Sequence, residues 1–322
     1  MNRLKRNLIP ALVLAVAVYF ILAVVSGLGG LSDAFKDLNW SLVPVIFGLV
    51  TLSYAGRFTR WLYYLRILKV HVPLGKNAAI FAAGLSMTIS PGKLGEVIKS
   101  VFVRRVSGAP VARTAPIVVA ERATDGTGMV LWGLLGALSF SFGLWTILAF
   151  LTLTILGITV LRSKKLSLLA ERVLLKLPLL NRLAPHLSDF HGASNELLGV
   201  RPLIVGTSIS FLSWGLEIFA VYLCAVAIGA DLDFLLVVFV FTVSSLGGAL
   251  SMVPGGLGVA EAGLAGMFIG LGDLAKGPAV ALTFLVRLAT LWFATFIGII
   301  GLMVVRAIVG EPALEDSANT ES

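Results

Sequence analysis

Two stretches of this 322-residue chain repeat one another. Gly84-Leu85-Ser86-Met87 leads into Pro91-Gly92-Lys93-Leu94-Gly95, and Ala249-Leu250-Ser251-Met252 leads into Pro254-Gly255-Gly256-Leu257-Gly258. Each motif is preceded by apolar sequence, and each is followed about 30 residues later by an arginine inside another apolar run, Arg122 and Arg287. Proline and paired glycines interrupt a helix. In lipid, non-helical backbone is tolerated only where it is enclosed by protein or lines a wet cavity. The repeat therefore predicts a membrane protein in which two broken helices meet at an interior site.

Composition agrees. Only 13% of residues are charged, against 58% hydrophobic, whereas a soluble domain carries roughly a quarter charged residues. The formal net charge of +8 does not imply a nucleic-acid partner, because the basic residues fall in short loops, as the positive-inside rule requires. Cys224 is the only cysteine and lies in an apolar run, which excludes a disulfide framework or a thiolate metal site within one chain. The basic residues of 1–7 precede an apolar run too long for a signal peptide, so that run is read as a retained first span.

The expected fold is an all-α polytopic membrane protein. Six stretches have the length of a spanning helix, about 20 apolar residues: 8–28, 41–67, 114–139, 144–161, 202–228 and 278–305. The first Pro-Gly segment, 77–106, lies between the second and third spans, and the second, 234–271, between the fifth and sixth. Arg3, Lys5, Arg6, Arg66, Lys69, Lys76, Lys99, Arg104, Arg105, Arg113 and the basic stretch 162–201 are assigned to the cytoplasm. That assignment places both termini inside, in a cytoplasmic membrane of bacterial type.

The first Pro-Gly segment then enters and leaves from the cytoplasmic face, and the second from the outer face. Arms of about 13 residues favour a re-entrant hairpin for the first; the second is open between hairpin and full spans. Repeat one (41–139) and repeat two (202–305) thus run in opposite senses, the inverted-repeat plan of many carriers. Together they make one transmembrane domain, 1–310, with an amphipathic cytoplasmic connector over 163–201 and a polar cytoplasmic tail, 311–322.

Half-helices starting near Leu94 and Leu257 would point free N–H groups into the membrane, where they attract anions; the competing reading is that the breaks are packing points. Burying one arginine at a helix centre costs roughly 2.5–3.5 kcal/mol. Arg122 and Arg287 are read either as ligands for lipid phosphate, which guanidinium binds bidentately, or as members of structural ion pairs. Asp125 is the candidate partner of Arg122, and Glu217 or Glu261 that of Arg287. Glu96, Glu121, Glu217 and Glu261 complete the buried ionisable set, with Glu121 and Asp125 on one helix face. Lys93 is read as a headgroup contact or a snorkelling side chain. Arg57 and Arg60, beside Trp61, Tyr63 and Tyr64, are expected to anchor a span at the interface.

The Pro-Gly-Lys-Leu-Gly-Glu run, the Glu121-Arg122 pair with Asp125, and the later Pro-Gly-Gly-Leu-Gly-x-x-Glu resemble the lysylphosphatidylglycerol synthase transmembrane-region family, also called flippase-like or UPF0104 proteins. The resemblance spans roughly residues 8–305. In the bifunctional multiple peptide resistance factor, a domain of this kind moves aminoacylated phospholipid between leaflets and is fused to an aminoacyltransferase. The present chain ends in a polar tail, so the resemblance implies translocation rather than synthesis. Stand-alone relatives are associated with hopanoid, glycolipid or polyprenyl-linked pathways.

The substrate expected on these grounds is a membrane lipid, and the expected partner a lipid-biosynthetic enzyme; no cofactor and no metal are expected. His71, His186 and His191 lack metal-ligand spacing, and no serine sits in a nucleophile elbow. A membrane-embedded transferase using carboxylates alone, or a non-transporting scaffold, are the alternatives to a carrier.

Overall fold

The computed structural model describes residues 38–90, 95–137 and 184–309, with scattered positions before and between them. The expected spans 8–28 and 144–161 fall largely outside the described residues. Pro91, Gly92 and Lys93, connector residues 164–183 and the tail 311–322 fall wholly outside.

Apolar sequence that cannot borrow hydrogen bonds from water folds as helix, and the described residues contain helices and connections with no strand among them. Helix α1, Val43–Ile67, follows a short turn, Trp40–Leu42. The first broken segment comprises α2, Leu74–Leu85, and α3, Ile98–Ser107. A four-residue helix α4, Val111–Thr114, leads into α5, Pro116–Ala137, and α6, Ala184–Leu197, precedes α7, Val200–Ala227. The second broken segment comprises α8, Phe234–Leu250, and α9, Val259–Gly270. Finally α10, Lys276–Arg287, runs through a π-helical turn, Leu288–Trp292, into α11, Phe293–Val309.

Three continuous helical stretches are long and apolar enough to cross a membrane: Trp40–Ile67, Val200–Ala227 and Lys276–Val309. At most half of each one's most apolar window is buried by protein. Large apolar side chains such as Leu52, Ile204, Leu212, Phe296 and Met303 stand exposed, a surface suited to lipid and not to water. Helix α5 has spanning length but carries Glu121, Arg122 and Asp125. The arms of the breaks are shorter. The longest, α8 with 17 residues, extends only about 26 Å at 1.5 Å per residue, against a hydrocarbon core near 30 Å.

Helices α1 and α7 run antiparallel. The backbone N–H of Asn39, ahead of α1, donates to the Ala227 carbonyl at the end of α7 at 2.7 Å, and an added Cβ on Gly206, near the start of α7, would collide with the Tyr64 hydroxyl near the end of α1. The halves also exchange contacts: α11 packs on α2, and α5 packs on α8. Both contacts depend on glycine. A Cβ at Gly301 of α11 would stand 2.6 Å from the Ala82 side chain, and one at Gly136 of α5 would stand 2.7 Å from the Phe239 nitrogen. Small residues at helix crossings are how membrane helices approach closely without a hydrophobic drive between them. The two breaks themselves touch, joined by an apolar cluster of Ile89, Leu257 and Leu291.

Candidate functional site

The Met87 carbonyl, which the N–H-less Pro91 cannot serve as a helical partner, is nonetheless paired. The Met87 carbonyl accepts from the Ser90 N–H at 2.8 Å and the Ser90 hydroxyl at 2.6 Å. The same hydroxyl accepts from Gly95 N–H at 2.9 Å, bridging the turn. Residues 95–97 form a 3-10 turn that runs directly into α3 at Ile98, close to the expected start, with Glu96 inside that turn.

The second break is tighter. Met252, Gly255, Gly256 and Gly258 all have positive φ, which is why glycine fills three of these positions. Helix α9 begins at Val259, and Glu261 in its first turn accepts from Gly258 N–H at 2.8 Å. The anion expected at this helix N-terminus is thus already supplied by the chain. Arg287 closes the arrangement, donating from Nε to Glu261 at 2.7 Å and from Nη2 to the Gly255 carbonyl at 2.7 Å.

Between the breaks lies a cavity of about 490 Å³, lined from α1, α2, α3, α5, α7, α8, α9, α10, α11 and the break residues. Its cations are Arg57, Arg60, Lys99, Arg122 and Arg287, and its carboxylates Glu96, Glu121, Asp125 and Glu217. Of the other expected site residues, Gly255 lines the cavity, whereas Gly95, Pro254, Gly258 and Glu261 stand behind the wall formed by the described residues.

The charges pair across elements. Arg57 Nη2 donates to Glu217 at 2.5 Å, and Ser53 donates to the same carboxylate at 3.3 Å. Arg60 Nη1 donates to Asp125 at 2.6 Å, to Thr124 at 3.2 Å and to Ser210. Lys99 Nζ donates to Glu121 at 2.6 Å and to Glu96 at 3.4 Å. It sits 4.6 Å from the Trp61 ring centroid, a cation–π arrangement. Arg57 lies 4.2 Å over Trp214 in the same way. Arg122 is held more loosely: Nη2 is 3.4 Å from Glu96 and 3.3 Å from Asp125, and the side chain is 30% exposed. Asp125 Oδ2 faces Arg122 without hydrogen-bond geometry.

Two expectations are corrected here. Arg57 and Arg60 are not interfacial anchors: they lie near the middle of α1, buried to 9% and 1% exposure, each paired with a carboxylate from another helix. Lys99 is not a loop charge either, being 2% exposed and turned inward onto Glu121. The signal was present in the sequence. Arg57 and Arg60 are three residues apart on one helix face and well inside an apolar run, where arginine requires a partner; the neighbouring aromatic residues drew the reading toward an interface. For Lys99, the Glu96–Lys99 spacing and the apolar Val97 and Ile98 between them were the clue. The remaining pairing falls as follows: Asp125 meets Arg122, Glu261 meets Arg287, and Glu217 meets Arg57 instead.

Residues 8–298 match the lysylphosphatidylglycerol synthase TM region. The chain belongs to this family. Relatives of this chain include a UPF0104 membrane protein of Methanothermobacter thermautotrophicus, 24% identical over 94% of this chain and 97% of the relative. Another, from Pyrococcus horikoshii, is 26% identical over 84% and 88%, and one from Methanocaldococcus jannaschii is 27% identical over 71% and 97%. No solved structure matches the chain. As a member of this family the chain is an integral membrane protein, and its charged cavity lies among its helices.

Proposed function

We propose that this protein carries a lipid with an anionic, phosphate-bearing headgroup between membrane leaflets. In this reading the headgroup enters the cavity between the two breaks while its acyl chains stay in the bilayer. Phospholipid, glycolipid or hopanoid and polyprenyl-linked cargoes all present such chemistry, and a lipid-biosynthetic enzyme would supply them. The protein sits in a cytoplasmic membrane with both termini inside, six spans, and the two breaks as re-entrant hairpins entering from opposite faces. Arm lengths below the bilayer thickness and the antiparallel α1 and α7 support that layout.

The observation that carries the reading is Arg122. A guanidinium in a membrane interior is costly unless used, and this one has only long contacts, 3.3 and 3.4 Å, with part of its surface open to the cavity. A phosphate oxygen offers it the shorter, bidentate pairing that its own carboxylates do not. The cavity has the size of a ligand pocket, enough for a headgroup.

The test is reconstitution in liposomes with phosphatidylglycerol labelled on an acyl chain, following quenching of the label by dithionite. Wild type is expected to make inner-leaflet label accessible, and Arg122→Ala, folded and inserted, to fail. Wild-type liposomes that protect the inner leaflet as empty ones do, with phosphatidylglycerol and with labelled polyprenyl phosphate, would sink the proposal.

A further inference from the structure

Six side chains of the site form one row of alternating charge: Glu121, Lys99, Glu96, Arg122, Asp125 and Arg60. The outer contacts are short, 2.6 Å for Glu121–Lys99 and 2.6 Å for Asp125–Arg60. The three inner ones are long: 3.4 Å for Lys99–Glu96, 3.4 Å for Glu96–Arg122 and 3.3 Å for Arg122–Asp125. The weak part of the row is therefore the pair that ties the first break, through Glu96, to α5, through Arg122.

The corresponding pair in the second half has the same spacing of 26 residues between glutamate and arginine. It is built differently. Arg287 and Glu261 meet at 2.7 Å with side chains 11% and 0% exposed, against 30% and 9% for Arg122 and Glu96. Arg287 also holds the Gly255 carbonyl, and Glu261 also holds the Gly258 N–H. Glu96, in contrast, has a second cation at equal distance, Lys99. It can leave Arg122 without becoming an unpaired charge in a dry interior, which would otherwise forbid the movement.

We infer that the Glu96–Arg122 pair is a ligand-released latch on the first break, while Glu261–Arg287 is a permanent clasp on the second. This rests on the translocation reading above. A lipid phosphate that engages Arg122 displaces Glu96, a like-for-like exchange of one oxyanion for another. Glu96 closes on Lys99, and the first break loses its Glu96–Arg122 tie to α5, keeping Lys99–Glu121 as the pivot. Headgroup binding thereby loosens one break only, and Glu96 acts as a positioning residue that couples occupancy to opening.

The experiment uses the full chain with Cys224→Ala, since Cys224 is the only cysteine, and a single reporter at Val97→Cys in the first break or Val253→Cys in the second. Maleimide labelling rates are measured in a neutral maltoside detergent, with and without added phosphatidylglycerol, alongside the liposome assay. The latch predicts a several-fold faster reaction at position 97 when phosphatidylglycerol is present and no change at 253. Glu96→Gln should give the fast rate at 97 without lipid, and Arg122→Lys, which keeps the charge, should retain part of the lipid response. A rate at 97 indifferent to lipid, in a protein that does move phosphatidylglycerol, overturns the latch and leaves the carrier standing. Equal lipid effects at 97 and 253 overturn the asymmetry. Absence of both movement and lipid response overturns the carrier and, with it, the latch.

Discussion

In the first half of the molecule the glutamate beside the break and the arginine 26 residues later stand 3.4 Å apart, and in the second half 2.7 Å. The surroundings of the two pairs differ more than the pairs do. In the register set by the two arginines, Val286 and Thr290 occupy the places of Glu121 and Asp125, and neither is ionisable. The first half adds Lys99, Arg57 and Arg60, all buried and all in the cavity wall. The second half contributes glycines with positive φ and a capped helix. Two Pro-Gly segments with the same Glu–Arg spacing thus serve differently, one holding charge next to a cavity and the other holding a turn in place. The contrast is decided by what each buried ion is bonded to.

The largest test of this contrast is Asp125→Asn. Asp125 bridges Arg60 and Arg122 and also accepts from the Ser210 hydroxyl at 3.1 Å. Removing its charge leaves Arg60, 1% exposed, with neutral acceptors in place of its paired carboxylate. Breaking a buried pair from one side costs about 3–5 kcal/mol, and here two arginines are affected, so the upper end is expected in SDS unfolding from mixed micelles. A loss below about 1 kcal/mol would mean that the first half's charges are solvated like surface ions.

Next comes Glu261→Gln. It removes the charge facing Arg287 but keeps an acceptor for the Gly258 N–H, so a loss near the lower end of that range, about 3 kcal/mol, is expected by the same unfolding measurement. Gly256→Ala should cost less. Gly256 has a φ of 65° and an added Cβ would stand 3.1 Å from Gly248 Cα, a combination worth about 1–3 kcal/mol of strain. Gly108→Ala is the control: its φ is 75° but the space around it is open, so only the left-handed backbone cost of about 1–2 kcal/mol remains. Equal losses at the two positions would show that the Gly248 contact contributes nothing.

Much of this was readable beforehand. The matched Pro-Gly motifs and the arginines behind them mark the two breaks, and the long apolar runs mark α1, α7 and the α10–α11 stretch because helix is the backbone's only self-sufficient form in lipid. The pairing was less legible. Asp125 sits three residues from Arg122 on the same helix and Glu261 sits in the first turn after its break, so both are local readings. Arg57–Glu217 and Arg60–Asp125 join residues 160 and 65 positions apart, and no periodicity encodes which distant helix supplies a counter-ion. Lys99 was misread for a different reason: a lysine near a run of arginines looks like a loop charge until the helix carrying it is seen to turn it inward against Trp61. Even the asymmetry of the two Glu–Arg pairs is hidden, because their spacing is identical.

The smallest expected effect, and the sharpest, is the stability of Glu96→Gln. If the first pair were a clasp like the second, neutralising Glu96 would cost what neutralising Glu261 costs. The contacts argue otherwise. Glu96 meets Lys99 and Arg122 at 3.4 Å each, Arg122 keeps Asp125 and is partly open to the cavity, and Lys99 keeps the short bond to Glu121. No charge is stranded, and a loosely held, partly solvated pair is worth about 0–1 kcal/mol. Glu96→Gln should therefore unfold within about 1 kcal/mol of wild type in the measurement that separates Glu261→Gln from it clearly. Equal losses for the two variants would remove the difference between the halves where it matters most, at the ion pairs beside the breaks.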